Sequence, residues 1–374
     1  MPYFDHNATS PLLAAAREAW LRANDDAWAN PSSPYRLSAR VHRLLGEARE
    51  RTAAILGVGA DEIVFTSGAT EANNAVIGWA ARMLPREAPV LFSPTEHPSV
   101  LEAITRDFGA RATPLRLDAD GRVDADAVAA ALGSARGGLV AVMAANNETG
   151  VLHPVAAIDR ICRDRGVYYL CDASQWIGRL PARELAPGAF LVGCAHKFAG
   201  PKGVGVLRVP SVADGFHGQR GGEQEGGRRA GTENFPAIAA TVAALEFANA
   251  QETPVRANWS ETFADDVIRR IPGTRVNGAG APRLWNTVSL RLPAHENTRW
   301  VARLDKLGCE VSTGSACATG SSAPSHVLAA IGLSAAEARR TIRVSSGWET
   351  TPDDWRFLAD AIASVWQQLE SESV

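Results

Sequence analysis

Only three of the chain's 38 basic residues are lysines, Lys197, Lys202 and Lys306. Two of them share one glycine-punctuated turn between apolar runs, Gly193-Cys194-Ala195-His196-Lys197-Phe198-Ala199-Gly200-Pro201-Lys202-Gly203. A guanidinium keeps its proton and cannot condense with a carbonyl, whereas a desolvated lysine can. A position that holds lysine against this bias is therefore a candidate covalent amine. Residue type alone leaves a solvated loop charge as the alternative for Lys197. The second reactive candidate is Cys317, in Ser312-Thr313-Gly314-Ser315-Ala316-Cys317-Ala318-Thr319-Gly320-Ser321-Ser322. Unpaired cysteines are usually buried as small hydrophobes, but neighbours this small and polar point to an exposed, mobile thiol. The five cysteines are scattered and odd in number, which fits neither a disulfide framework nor a paired-cysteine metal site.

These side chains need a scaffold, and the chain repeats one device. An apolar strand-like run ends in a polar cluster at Ser67-Gly68-Ala69-Thr70-Glu71, at Thr95-Glu96-His97, at Asn146-Asn147-Glu148-Thr149-Gly150 and at Asp172-Ala173-Ser174-Gln175. Open α/β sheets place ligands at the C-terminal ends of their strands. Any one of His97, Asn147, Asp172 or Gln175 could be a cap or turn residue, and four such ends in series are more economically read as one site. The first cluster opens a helix, so its unpaired N–H groups and the helix dipole form an anion cup to which Thr70 adds a hydroxyl. Thr9 or Ser10, ahead of Pro11, is expected to cap a helix running through Leu21. Apolar spacing predicts a helix over 38–56, with the arginines of 36–51 on its solvated face. The glycine-rich stretch 218–234 is either a flexible linker or, through Gln224, Arg228, Arg229 and Thr232, a second anion holder. A helix over 236–250 precedes a boundary near Thr253. Beyond it, strands at 287–292 and 341–345, the latter carrying Arg343, and helices at 297–307 and 352–369 are expected.

A chain of 374 residues is long enough for two domains. The expected division is an arm over 1–15 associated with the small domain, a large domain over 16–252 and a small C-terminal domain over 253–374 that carries the Cys317 loop. A net charge of −3 gives no footprint for nucleic acid or an anionic membrane. The first residues lack the basic and apolar regions of a signal peptide, and no apolar run is long enough to span a bilayer, so a cytoplasmic location is expected.

A lysine that forms an imine needs a carbonyl partner, and the surrounding groups match the needs of pyridoxal 5'-phosphate. Gly68-Ala69-Thr70 offers a phosphate cup, Asp172 a carboxylate for the pyridine nitrogen and His97 a flat group over the ring. With these motifs in order, the chain resembles the cysteine desulfurases, pyridoxal-phosphate enzymes of the class V aminotransferase family with fold type I. The resemblance runs from Tyr3 to about Trp355. It rests on the 66–74 cluster, Glu96-His97, Asn146-Asn147-Glu148-Thr149-Gly150, Asp172-Ala173-Ser174-Gln175, His196-Lys197, Arg228-Arg229-Ala230-Gly231-Thr232-Glu233-Asn234 and Ser312-Thr313-Gly314-Ser315-Ala316-Cys317. Gly314-Ser315-Ala316-Cys317 with its long following loop is similar to the group whose catalytic loop is mobile.

The resemblance implies an α/β fold with a mostly parallel central sheet in a large domain and a smaller α+β C-terminal domain. It implies that Lys197 carries the cofactor imine and moves the substrate Cα proton, that Asp172 and Gln175 pair with the pyridine nitrogen and phenolic oxygen, and that His97 stacks on the ring and shuttles protons. Ala69, Thr70, Cys194, His196 and, from a neighbouring subunit, Thr232 would hold the phosphate, which makes a homodimer the working unit. Asn147 would touch the cofactor and, with Arg343, bind the carboxylate of L-cysteine. Cys317 would take the substrate's sulfur as a persulfide for a sulfur-acceptor protein, leaving alanine. Departures from the family pattern are Cys194 in place of a usual serine, His6 in place of a usual asparagine, Tyr35-Arg36-Leu37-Ser38 after the Asn30-Pro31-Ser32-Ser33 turn, and Glu223 in a glycine run. Selenocysteine lysis, C–S elimination or transamination on the same scaffold, and a silent partner-binding relative, are the alternatives.

Overall fold

The computed structural model describes residues 2–251, 254–314 and 324–372. Seven strands form the larger sheet: β1 (Ile63–Thr66), β2 (Val90–Phe92), β3 (Ala112–Pro114), β4 (Leu139–Ala141), β5 (Tyr168–Asp172), β6 (Phe190–Cys194) and β7 (Gly205–Arg208). Their order is β1-β7-β6-β5-β4-β2-β3. The pairs from β6 through β5, β4 and β2 to β3 are parallel, while β7 is antiparallel to both β6 and β1. This is the mostly parallel sheet expected from the sequence. Strands β4 and β6 are buried at every residue, as continuous apolar strands between two helical layers must be. Because β1 and β6 both oppose β7, they run in the same direction. The ends of β1, β2, β4, β5 and β6 therefore deliver their polar clusters to a single sheet edge.

Helices α1 (Ala14–Asp26), α2 (Arg36–Leu56), α3 (Ala69–Met83), α4 (Pro98–Phe108), α5 (Ala125–Leu132), α6 (Val155–Arg165) and α7 (Phe235–Asn249) accompany this sheet. One apolar core includes Val140, Ile158, Tyr169 and Ala195, and a second includes Val76, Trp79, Ile104 and Phe190, on the other side of the same strands. Strand residues alternate between the two, with Val140 and Tyr169 in one and Leu139 and Leu170 in the other, as period-two geometry requires.

The rest of the described chain packs around a three-stranded antiparallel sheet, β8 (Arg275–Val276), β9 (Thr287–Arg291) and β10 (Thr341–Ser345), in the order β10-β9-β8. It also contains α8 (Pro254–Arg270), α9 (Asn297–Lys306), α10 (His326–Ala330), α11 (Ala335–Ala338) and α12 (Pro352–Ser371). Helix α12 starts sharply because Thr351 and Asp354 form a reciprocal capping box with Pro352 at its first turn. Phe4 lies fully buried in this core beside Trp355, and its backbone joins Glu310 and Ser345. No helix among the described residues is long and apolar enough to cross a membrane.

Three local expectations are corrected. Helix α1 begins at Ala14 after Leu13, which makes no side-chain cap, so neither Thr9 nor Ser10 caps it. Their hydroxyls turn instead to the lysine turn and the arm itself: Thr9 Oγ1 is 3.1 Å from His196 Nδ1 and Ser10 Oγ is 3.1 Å from His6 Nδ1. Three polar groups of the glycine-rich stretch are likewise committed within the fold. Arg229 pairs with Glu71 at 2.9 Å, Arg228 donates to the Asp61 carbonyl, and Gln224 accepts from Gly231 N–H. Arg49, expected on a solvated face, instead pairs bidentately with buried Glu225 at 2.7 and 2.9 Å.

Candidate active site

A cavity of about 840 Å³ opens at the sheet edge. It is lined by the arm residues Asn7–Thr9 and by Ser67–Glu71, His97, Asn147, Glu148, Asp172, Gln175, Cys194, His196, Lys197, His326 and Arg343. All the strand-end residues singled out from the sequence thus converge. Lys202, the second lysine of the turn, is exposed but also lines this cavity.

Lys197 reaches the cavity because β6 stops at Cys194 and one tight turn follows, with Ala199 at φ 64° and Gly200 N–H donating to Ala195 O. Its Nζ donates to the carbonyls of Asn7 at 2.5 Å and Ala8 at 2.7 Å. Burial lowers its pKa to about 8, and the nearby charges of Arg343 and Arg179 push the same way. At neutral pH an ordinary lysine is a poor nucleophile, and this one lies close to losing its proton.

Asp172 ends β5, where Ser174 N–H donates to its Oδ1 at 2.9 Å and Asn73 Nδ2 to its Oδ2 at 2.8 Å. Gln175, one turn on, donates through Nε2 to Asn7 O at 3.0 Å, while its buried Oε1 has no partner among the described residues. His97 is the N-cap of α4, its Nδ1 accepting from Ser99 N–H at 3.1 Å. Burial lowers its pKa.

The anion cup forms where β1 turns into α3. Gly68 has φ 158°, and a Cβ on Gly205 of the adjacent strand would lie 2.5 Å from Thr66 Oγ1 and 2.6 Å from Gly68 C. Only glycine at 205 lets β7 approach the cup this closely. Ala69 and Thr70 line the cavity at the start of α3, and Cys194 and His196 line it at the start of the lysine turn. Burial raises the Cys194 thiol and lowers His196 to about 4, so both are neutral at pH 7. Neutral, they could serve an anion only through hydrogen bonds, whereas the N-terminal end of the α3 dipole and the Lys202 ammonium in the cavity lining are positive.

Arg343 is 1% exposed and pairs with Asp5 Oδ1 at 2.5 Å. It also donates to Asn147 O at 3.1 Å and Gly314 O at 2.8 Å. Beside it Glu148 accepts from Ser325 Oγ at 2.6 Å, and burial raises its pKa. Thr232 is exposed and does not line this cavity. Cys317 lies outside the described residues. Sequence reading passed over Asp5, Asn7, Asn73 and Glu148. The last two stand inside recognised clusters, but nothing in the spacing of Asp5 and Asn7 says that the arm folds back onto the lysine.

The donor set suits a flat, anionic carbonyl compound: a small-residue cup for an anion, an acceptor-only carboxylate for a ring nitrogen, a buried amide with an unpartnered oxygen and an amine of lowered basicity. Comparison with known proteins agrees. The profile of the aminotransferase class-V family matches residues 2–357. The cysteine desulfurase IscS of Dictyoglomus turgidum is 34% identical over 99% of this chain and 96% of its own length. A cysteine desulfurase of Frankia sp. is 36% identical over 100% of this chain and 93% of its own. Among solved structures, a NifS-like protein superposes with TM-score 0.86 at 28% identity, covering 98% of this chain and 99% of that one. SspA in complex with cysteine superposes with TM-score 0.79 at 31% identity, over 92% and 99%. The chain belongs to the class-V aminotransferase family and, within it, to the cysteine desulfurases.

Proposed function

We propose that the chain uses pyridoxal 5'-phosphate to convert L-cysteine to L-alanine, passing the sulfur to Cys317 as a persulfide for a separate acceptor protein. The observation that carries this reading is the buried Lys197 amine, with its pKa near 8, in one cavity with the 68–70 anion cup and the Asp172 carboxylate. When bound, the cofactor supplies an electron sink for the electron pair of a bond broken at the substrate Cα. Gly68, Ala69, Thr70, His196 and Cys194 would hold its phosphate, Asp172 its ring nitrogen, Gln175 its phenolic oxygen and Lys197 its carbonyl carbon, with His97 over the ring and Asn147 alongside.

Lys197 is suited to carry the Cα proton because burial brings its pKa close to working pH. Arg343 lines the cavity while paired with Asp5, and would bind the substrate carboxylate together with Asn147. Cys317, as a thiolate, would attack the substrate sulfur. The C–S bond then breaks, its electron pair goes to the carbon that becomes the alanine methyl group, and a proton is taken up there. The exposure of Thr232 supports a homodimer in which it serves the partner's site. We further propose a cytoplasmic location and a division into an arm over 1–15, a large domain over 16–252 and a small domain over 253–374.

Incubation of the cofactor-loaded protein with L-cysteine tests the reading. The expected products are equimolar alanine and transferable sulfur, with a gain of one sulfur on the peptide bearing Cys317. Cys317→Ala is expected to bind the cofactor and lose sulfur transfer. Pyruvate with ammonia in place of alanine would show elimination instead.

A further inference from the structure

His97 sits at one end of a buried polar chain whose direction is fixed by the chemistry of its members. Asp172 accepts at Oδ2 from Asn73 Nδ2 (2.8 Å), and the same Asn73 nitrogen donates to Ser99 Oγ (3.0 Å). A carboxylate cannot donate, so it holds the amide nitrogen of Asn73 towards it. The cost is borne at Asn73 Oδ1, which is buried with no partner among the described residues. Both hydrogens of that amide are then spent, one on Asp172 and one on Ser99. Ser99 Oγ, having accepted, has its own hydrogen to donate, and His97 Nδ1 lies 2.9 Å away. The backbone N–H of Ser99 donates to the same Nδ1 at 3.1 Å, and a backbone N–H can do nothing else. Two donors therefore converge on His97 Nδ1, which must hold a lone pair. The ring hydrogen is on Nε2.

We propose that Ser99 and Asn73 are positioning residues that hold His97 as the neutral Nε2–H tautomer, so that the ring serves the reaction as a hydrogen-bond donor and the moving proton is carried by Lys197. The inference rests on the desulfurase reading for its role in turnover, but the tautomer itself does not depend on it. To gain a proton at Nδ1 the ring would have to turn against a helix N–H at the first turn of α4, where the dipole also opposes positive charge. A neutral imidazole kept neutral by a helix N-terminus is an established way to present an electrophilic N–H. Among the described residues, the charged groups acting on the ring are Asp172, Lys197 and His326, and of these Asp172 favours the cation while the other two oppose it. Ser99 and Asn73 are themselves buried, at 9% and 0% exposure, so water does not supply a substitute partner.

Nitrogen-15 NMR of histidine-labelled protein, with and without cofactor, tests the tautomer directly. The expected result is a lone-pair-type Nδ1 and a hydrogen-bearing Nε2 for His97, unchanged across the pH range of activity. A protonated Nδ1, or conversion to the imidazolium within that range, would overturn the proposal. Ser99→Ala is expected to bind cofactor normally, lower kcat about tenfold and shift the pH profile of kcat, while Ser99→Thr restores both. An S99A enzyme with the parent kcat and pH profile would sink the positioning role. Failure of the desulfurase reading would instead leave the NMR result standing and change only the products.

Discussion

At the scale of single residues, burial sets the protonation states on which the chemistry depends. Lys197 has a folded pKa of about 8 against an ordinary value of 10.5. Below pH 8 both folded and unfolded states hold the proton, and the cofactor-free protein bears the full cost. Between pH 8 and 10.5 only the unfolded state holds it, so stability rises with pH by up to about 3 kcal/mol. Urea unfolding of the cofactor-free protein at pH 7.5 and pH 10 should show this rise, and Lys197→Met should abolish it. His153 behaves similarly at lower pH. It is 3% exposed, its Nδ1 accepts from Val123 N–H at 3.1 Å, and burial lowers its pKa to about 4. Its contribution is fully present above pH 6.5 and is lost as pH falls towards 4, where only the unfolded state has taken up the proton easily. A loss of about 3 kcal/mol at most is expected from this one group. His153→Asn keeps an acceptor near Nδ1 and cannot be protonated there, so its unfolding midpoint should fall less between pH 7 and 5.

At the scale of elements, the cup depends on how closely β7 packs against the end of β1. Gly205→Ala would drive a Cβ into the Gly68 backbone, which cannot move aside as a flexible side chain does. We expect a loss of about 1–3 kcal/mol in stability and a rise in the cofactor's dissociation constant, read from titration of the visible absorbance band. The placement of Glu225 is a second element-level device. It holds φ 53° in a 3-10 turn, pairs with Arg49 and accepts from Phe65 N–H at 2.9 Å, tying the glycine-rich stretch to β1. These bonds anchor a segment whose glycines alone would leave its path undetermined.

At the scale of the whole molecule, the arm is the part that makes one site out of distant pieces of chain. Asp5 pairs with Arg343, Asn7 Nδ2 donates to Asn147 O and to Thr287 Oγ1, and the Asn7 and Ala8 carbonyls receive Lys197. Asp5→Ala would leave the guanidinium of Arg343 buried without its paired carboxylate. The expected cost is about 3 kcal/mol in thermal unfolding, together with a raised KM for cysteine as Arg343 loses its orientation. A parent-like KM alongside reduced stability would mean that Arg343 is held by Asn147 and Gly314 alone.

The alternation of buried apolar runs with polar strand ends was legible because parallel strands need both, and it was enough to collect Lys197, Asp172, Gln175, His97 and Asn147 at one edge. The rarity of lysine marked Lys197 as the candidate covalent amine for a reason of chemistry, independent of fold. What the chain order could not disclose were contacts whose partners are far apart and whose residue types are ordinary. Thr9 and Ser10 had a valid local reading as helix caps, and the arm's path past His196 and Lys197 overrode it. Arg228 and Arg229 had the right charge for a ligand, yet Glu71 and the Asp61 carbonyl claim them. The tautomer of His97 is decided by two donors on Ser99, the local backbone N–H and a hydroxyl directed by Asn73 on α3 and Asp172 on β5, and the second is set only by distant segments. Sequence determined which groups the protein has for its chemistry. Tertiary structure decided which of them are buried, paired and pointed at one another, because desolvation and hydrogen-bond direction exist only once distant segments share a cavity.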